Sequence, residues 1–217
     1  MMKMNNKTIY LTLDDGPSSH TEQFLDILKK YHSYATFFVV GDMIEGREDI
    51  IRRIADEGHS IGVHAFQHEY DIIYRSTNTF WDDNLRARNL IKQITGKAPK
   101  IMRFPGGSSN TVSRHYCYKI MTKLAEQTKS YGYVYYDWNI HPYDTSVDNH
   151  KVQELYDMLM DGIHSDFKTP IILMHDMERL KNNPLIIEKM LDTAISEGYV
   201  FKALDENVEP VHHRIAN

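Results

Sequence analysis

Five short segments carry residue types that could do chemistry. In TLDDGP, Thr12 to Pro17, two adjacent carboxylates, Asp14 and Asp15, stand before a Gly-Pro turn. Buried without partners they would be costly, so they form either a solvated turn or a pair with partners. The second segment is His64-Ala-Phe-Gln-His68. Imidazoles at i and i+4 can converge on one metal ion if the loop turns helically, although surface histidine pairs of this spacing are common. The third is Arg103-Phe-Pro-Gly-Gly107, a cation followed by glycines that let backbone N–H groups approach a ligand closely. Asp137-Trp138 after YVYY and Leu173-Met-His175-Asp176 after PII complete the set. Taken singly, each has an ordinary structural explanation, such as an aromatic rim or a satisfied histidine. Five in succession are hard to ascribe to chance.

These residues need elements to position them. Short apolar or β-branched runs alternate with segments of helical period, the pattern of a parallel sheet with crossover helices, so the fold class is α/β. Strands are predicted near Thr8–Leu13, Ala35–Val40, Ser60–His64, Lys100–Phe104, Tyr133–Asp137, Pro170–Met174 and Tyr199–Ala203. Ser19 and Glu22 read as a capping box, and Asn183-Pro184 as an N-cap and first-turn pair. Gly58, Gly96 and Gly198 sit where helices should stop. Further helices are expected near Glu48–Glu57, Thr79–Thr95, Ser113–Tyr131 and Lys151–Ile163, and the last dozen residues read as a tail. Asp14, Asp15, His64, Arg103, Asp137 and His175 each fall at a predicted strand end, an arrangement that favours a short barrel over an open sheet. A single domain over residues 1–217 is expected, with its core at about 8–204.

Composition excludes other classes. The 217 residues are 41% hydrophobic and 25% charged, as in ordinary globular proteins. Twenty-five basic against 30 acidic residues give a net charge of −5, and no run of Lys or Arg exceeds two, so nucleic acid is not an expected partner. Cys117 stands alone and makes no internal disulfide. No stretch has the length of a signal peptide's apolar region or of a membrane span. The chain therefore reads as a cytosolic protein or as the mature domain of an exported one, and as a monomer.

In combination the five segments resemble the motif set of the polysaccharide deacetylase family, the NodB-homology or carbohydrate esterase family 4 domain, from Thr8 to about Leu204. The resemblance implies a distorted (β/α) barrel of fewer than eight strands, here seven. It implies Asp15, His64 and His68 as metal ligands, Asp14 as general base, Arg103 paired with Asp14, and His175 as general acid held by Asp137. Trp138 and Leu173 would line the acetyl-methyl pocket, and the Gly106 N–H would bind the oxyanion. His59, His115, His141, His150, His164, His212 and His213 are read as structural or surface residues.

Amide hydrolysis needs a nucleophile, relief of the oxyanion and a proton for the leaving amine. One divalent cation on a carboxylate and two imidazoles leaves positions for water and carbonyl oxygen, with zinc favoured and cobalt, nickel or iron as substitutes. Asp14 would take the water proton and His175 would protonate the nitrogen. The expected substrate is a polysaccharide or oligosaccharide carrying N-acetylglucosamine-type units, such as peptidoglycan or a chitin-like glycan. A wall glycan would require export. An O-acetyl esterase acting on xylan and a silent glycan-binding relative are the alternatives, and the second is disfavoured because no motif residue is lost. Two departures stand out. Ala65 replaces the family's usual serine or threonine after the first metal histidine, which questions the rigidity of the His68 arm. Gly106 stands where many members carry a bulkier side chain.

Overall fold

The structure, a computed structural model, describes residues 7–146 and 151–217; His150 lies outside them. Among the described residues seven parallel strands occur where the sequence places them: β1 (Thr8–Asp14), β2 (Ala35–Val39), β3 (Ser60–Val63), β4 (Ile101–Met102), β5 (Val134–Tyr135), β6 (Ile171–His175) and β7 (Val200–Phe201). Their order is β5-β4-β3-β2-β1-β6, with β7 on the lower end of β1. The sheet curls, and after β5 the chain reaches back to β6, where Ile140 bridges Ile172. The result is a distorted (β/α)7 barrel. All five residues of β2 are buried, as expected of a parallel strand covered on both sides.

Among the described residues seven helices connect the strands: α1 (Thr21–Lys30), α2 (Glu48–Asp56), α3 (Tyr70–Ile73), α4 (Thr77–Thr95), α5 (Ile120–Gln127), α6 (Val152–Ile163) and α7 (Asn183–Ser196). On α1, Phe24, Leu25, Ile27 and Leu28 are buried, the stripe that i, i+3, i+4 spacing produces. The Ser76 hydroxyl caps α4 by accepting from Thr79 N at 3.0 Å, and Gly96 ends it at φ +77°. Gly58 and Gly198 also have positive φ just past α2 and α7.

Several expectations are corrected. Ser19 and Glu22 form no capping box; α1 starts at Thr21, and Ser18 and Thr21 instead direct their hydroxyls at Asp176. Asn183 is not the cap of α7, which is Asn182; its side chain turns inward to the site. The predicted Ser113–Tyr131 helix is divided into a 3-10 turn, Val112–His115, and α5, because Lys119 adopts φ +57° between them. β4 and β5 are two residues each. Pro105 has no N–H to extend the first, and the Asp137 N–H bonds Val211 O at 2.9 Å instead of a neighbouring strand.

The carboxyl-terminal residues are therefore part of the fold. The His212 ring stacks on Tyr135 at 3.8 Å, and Asn217 donates to Ser113 Oγ at 2.7 Å. Among the described residues, no helix is long and apolar enough to cross a membrane.

Candidate active site

The carboxyl end of β1 places Asp14 and Asp15 at the barrel rim. Asp15 lies at φ +74°, a left-handed conformation that turns its side chain from the line of β1. Its Oδ1 stands 3.4 Å from His64 Nε2 and 3.5 Å from His68 Nε2. This oxygen is buried and has no hydrogen-bond partner, a costly state for an isolated carboxylate atom. Burial pushes the Asp15 pKa up, but the nearby imidazoles of His64, His68 and His175 outweigh it and leave it well below the usual range. His64 Nδ1 lies 2.9 Å from Arg103 O, which fixes the ring with Nε2 facing Asp15; burial disfavours its charged form, but the carboxylates of Asp14 and Asp15 raise its pKa. Burial, followed by the charge of His64, lowers the His68 pKa and favours its neutral ring. One carboxylate oxygen and two imidazole nitrogens within 4.8 Å of one another make a candidate metal site whose donors fit a divalent cation.

The loop between the two histidines is held from outside the motif. Ala65 sits at φ +68° and offers no side-chain hydrogen bond. The Asp83 carboxylate, on α4, instead accepts from Phe66 N at 2.6 Å and Gln67 N at 3.1 Å. The doubt raised by Ala65 is thus answered by a residue without any sequence signal.

Arg103 is completely buried and uses four of its five donors. Nε donates to Tyr136 O at 2.8 Å, Nη1 to Thr12 Oγ1 at 2.6 Å and Asp14 Oδ1 at 2.8 Å, and Nη2 to Asp137 O at 3.1 Å. The Phe38 ring supports the guanidinium at 4.3 Å. Phe38 can lie there because its register partner is Gly62, where a Cβ would come within 2.3 Å of the ring. The expected Arg103–Asp14 pair therefore forms, on a bed of β2 and β3.

His175 ends β6 in register with Asp14, so the two side chains share one face of adjacent strands. The expected Asp137–His175 pair does not form. His175 Nδ1 lies 2.8 Å from Asp144 Oδ1, and His175 N donates to Asp144 Oδ2 at 2.9 Å. Asn183 Nδ2 holds the same carboxylate at 2.7 Å. Asp137 is occupied elsewhere: it accepts from Ser108 N and His213 N, each at 2.8 Å, and from the Ser108 hydroxyl. Burial opposes the imidazolium of His175, but the bond and charge of Asp144, with the charges of Asp14 and Asp15, raise its pKa to about 9. His141, read as structural or surface, in fact joins this group: its Nε2 is 3.9 Å from Asp144 Oδ1, and burial lowers its pKa to about 4.

The remaining residues line the same end of the barrel. Gly106 and Gly107 both have φ +76°, and the Asp137–Ser108 bonds anchor the loop they open. Trp138 stands 5.5 Å from the Arg103 guanidinium and packs edge-on against His213 at 4.7 Å. Leu173 is buried two residues before His175, on the same face of β6.

Comparison with known proteins agrees with this geometry. The polysaccharide deacetylase family model matches residues 2–125. The peptidoglycan-N-acetylmuramic acid deacetylase PdaA of Bacillus subtilis is 31% identical over 92% of this chain and 71% of its own. A peptidoglycan-N-acetylglucosamine deacetylase of Bacillus cereus is 28% identical over 92% of this chain and 70% of its own. The solved catalytic domain of the peptidoglycan N-acetylglucosamine deacetylase from Eubacterium rectale superposes with a TM-score of 0.92 at 35% identity, covering 98% of this chain and 95% of that one. With a family model spanning more than half of its length and a relative of this identity along nearly all of it, the chain belongs to the polysaccharide deacetylase family.

Proposed function

We propose that this protein is a metal-dependent hydrolase that removes acetyl groups from N-acetylated sugar units of a polysaccharide, with peptidoglycan as the substrate class. The observation that carries the reading is the buried, unpartnered Oδ1 of Asp15 facing two imidazole nitrogens, beside the register pair Asp14 and His175. Relatives named for peptidoglycan N-deacetylation support the substrate class. One domain, acting as a monomer outside the cell where wall glycan lies, completes the proposal.

In this reading Asp15, His64 and His68 hold one divalent cation; their nitrogen and oxygen donors suit zinc, with cobalt, nickel or iron as substitutes. The cation supplies a Lewis acid that polarises the acetamide carbonyl and acidifies water. Asp14, oriented by Arg103, takes the proton from the attacking water. The water oxygen bonds to the carbonyl carbon while the Gly106 N–H receives the negative oxygen. His175, protonated on the far side and oriented by Asp144, gives its proton to the nitrogen as the C–N bond breaks. Acetate and a free amine leave. Trp138 and Leu173 enclose the acetyl methyl group. Asp137 keeps a supporting part, fixing the loop that carries Gly106 through Ser108.

The test is acetate release from a panel of defined N-acetylated and O-acetylated glycans, with metal-loaded protein and after chelation. N-acetylated glycan should be the substrate, and chelation should stop release. Activity confined to O-acetyl esters, or unaffected by complete metal removal, would refute the proposal.

A further inference from the structure

The motif that departs from the family at Gly106 is completed in space by a residue from another element. A Cβ at Gly106 would lie 2.3 Å from the Tyr70 hydroxyl and 3.4 Å from Asn110 Cβ, so that hydroxyl already fills the room a side chain would need. We propose that the Tyr70 hydroxyl donates a hydrogen bond to the acetamide carbonyl oxygen of the substrate, as a second donor beside the Gly106 N–H. The inference rests on the deacetylase reading above.

Three observations converge. First, Tyr70 opens α3 directly after the metal-site loop, and its ring lies 5.7 Å from that of His68. It thus bridges the metal cluster and the backbone at Gly106. Second, its position is fixed by neighbours that are themselves buried. The Tyr70 ring packs edge-on against Tyr74 at 5.4 Å, and the fully buried Tyr74 donates to Pro105 O at 2.7 Å. Asn110 Nδ2 holds the same carbonyl at 3.2 Å. Tyr74 and Asn110 therefore set the path of the chain into Gly106, and Tyr70 sits on the result. Third, Tyr70 is only partly buried, whereas Tyr74 is wholly so; one ring is packing and the other keeps part of its surface accessible at the rim.

The chemistry suits the position. Burial and the charge of Asp15 raise the Tyr70 pKa above the ordinary phenol value near 10, so the hydroxyl is protonated at neutral pH and can donate. It stays protonated throughout; no bond to it forms or breaks. A donor aimed at the atom where negative charge develops stabilises the transition state more than the ground state, and removing one such donor typically costs about a hundredfold to a thousandfold in kcat.

The experiment is Tyr70→Phe, which retains the ring and deletes only the hydroxyl. With metal-loaded protein and an N-acetylglucosamine oligomer, kcat should fall at least tenfold while KM changes little, the signature of an interaction made in the transition state. Metal stoichiometry and Tm should match the wild type. A Tyr70→Phe protein with wild-type kcat, or one whose loss follows a loss of bound metal, overturns the inference and leaves the deacetylase reading standing. A wild-type protein that releases no acetate from any N-acetylated glycan overturns both.

Discussion

Replacing Asp144 by asparagine separates the two carboxylates that compete for His175. Asp144 is fully buried with Oδ1 2.8 Å from His175 Nδ1. Burial alone would lower the pKa of the ring; Asp144, with Asp14 and Asp15, raises it from 6.5 to about 9 instead. That rise corresponds to about 3 kcal/mol in favour of the imidazolium. Because the pKa is raised on folding, this contribution to stability is complete below about 6.5 and is lost as pH climbs through about 9. A cation held by Asp15 repels the imidazolium and moves the upper limit downward. In Asp144→Asn, the amide oxygen can accept from His175 N and Asn183 Nδ2, the two donors now 2.9 and 2.7 Å from Oδ2. The amide N–H then faces Nδ1, which must give up its proton. With burial no longer opposed by Asp144, the ring is neutral at pH 7 and the leaving nitrogen lacks its acid. Turnover at pH 7 should fall about a hundredfold to ten-thousandfold. Acetate-release rates from about pH 5 to 10 should show the alkaline limb of the variant displaced to lower pH. Asp137→Asn should leave that limb in place, because its partners are Ser108 and His213. An unmoved limb in Asp144→Asn, or a displaced one in Asp137→Asn, would refute the assignment.

Two further predictions concern the metal and the length of the substrate. His68→Ala should reduce bound metal from one ion per chain to a small fraction after dialysis, as read by elemental analysis, because it removes one of three ligands; full occupancy would contradict the ligand set. Efficiency should rise from an N-acetylglucosamine monomer to an oligomer, since binding energy from remote sugars can be expressed in turnover. Equal efficiency on both would indicate a closed pocket for a small acetamide.

The strands were legible because each is a short apolar run, and the chemical residues were legible because they end those runs. Asp14, Asp15, His64, Arg103 and His175 all meet at one rim on that logic alone. What the sequence conceals is the choice of partner. Asp137 follows a strand and precedes tryptophan, whereas Asp144 lies in a connecting loop that no periodicity marks. Only the tertiary path shows that the carboxyl-terminal His213 saturates Asp137 and leaves His175 to Asp144. Asp83 on α4 and Asp176 just past β6 are concealed for the same reason: each satisfies backbone or hydroxyl groups distant in sequence. The Ser19–Glu22 capping pattern failed because Ser18 and Thr21, bound to the buried Asp176, fix the start of α1 more strongly than a surface cap would.

The central claim is that a cation-assisted hydrolysis of an N-acetyl group depends on Asp14 as proton acceptor. It is tested most directly by measuring acetate and free amine together from an N-acetylglucosamine oligomer, with metal-loaded wild type and Asp14→Asn side by side. The account predicts one amine for each acetate in the wild type. In the variant it predicts a rate about a hundredfold to ten-thousandfold lower, with metal content unchanged. Near-equal rates in the two proteins, or acetate without amine, would contradict it.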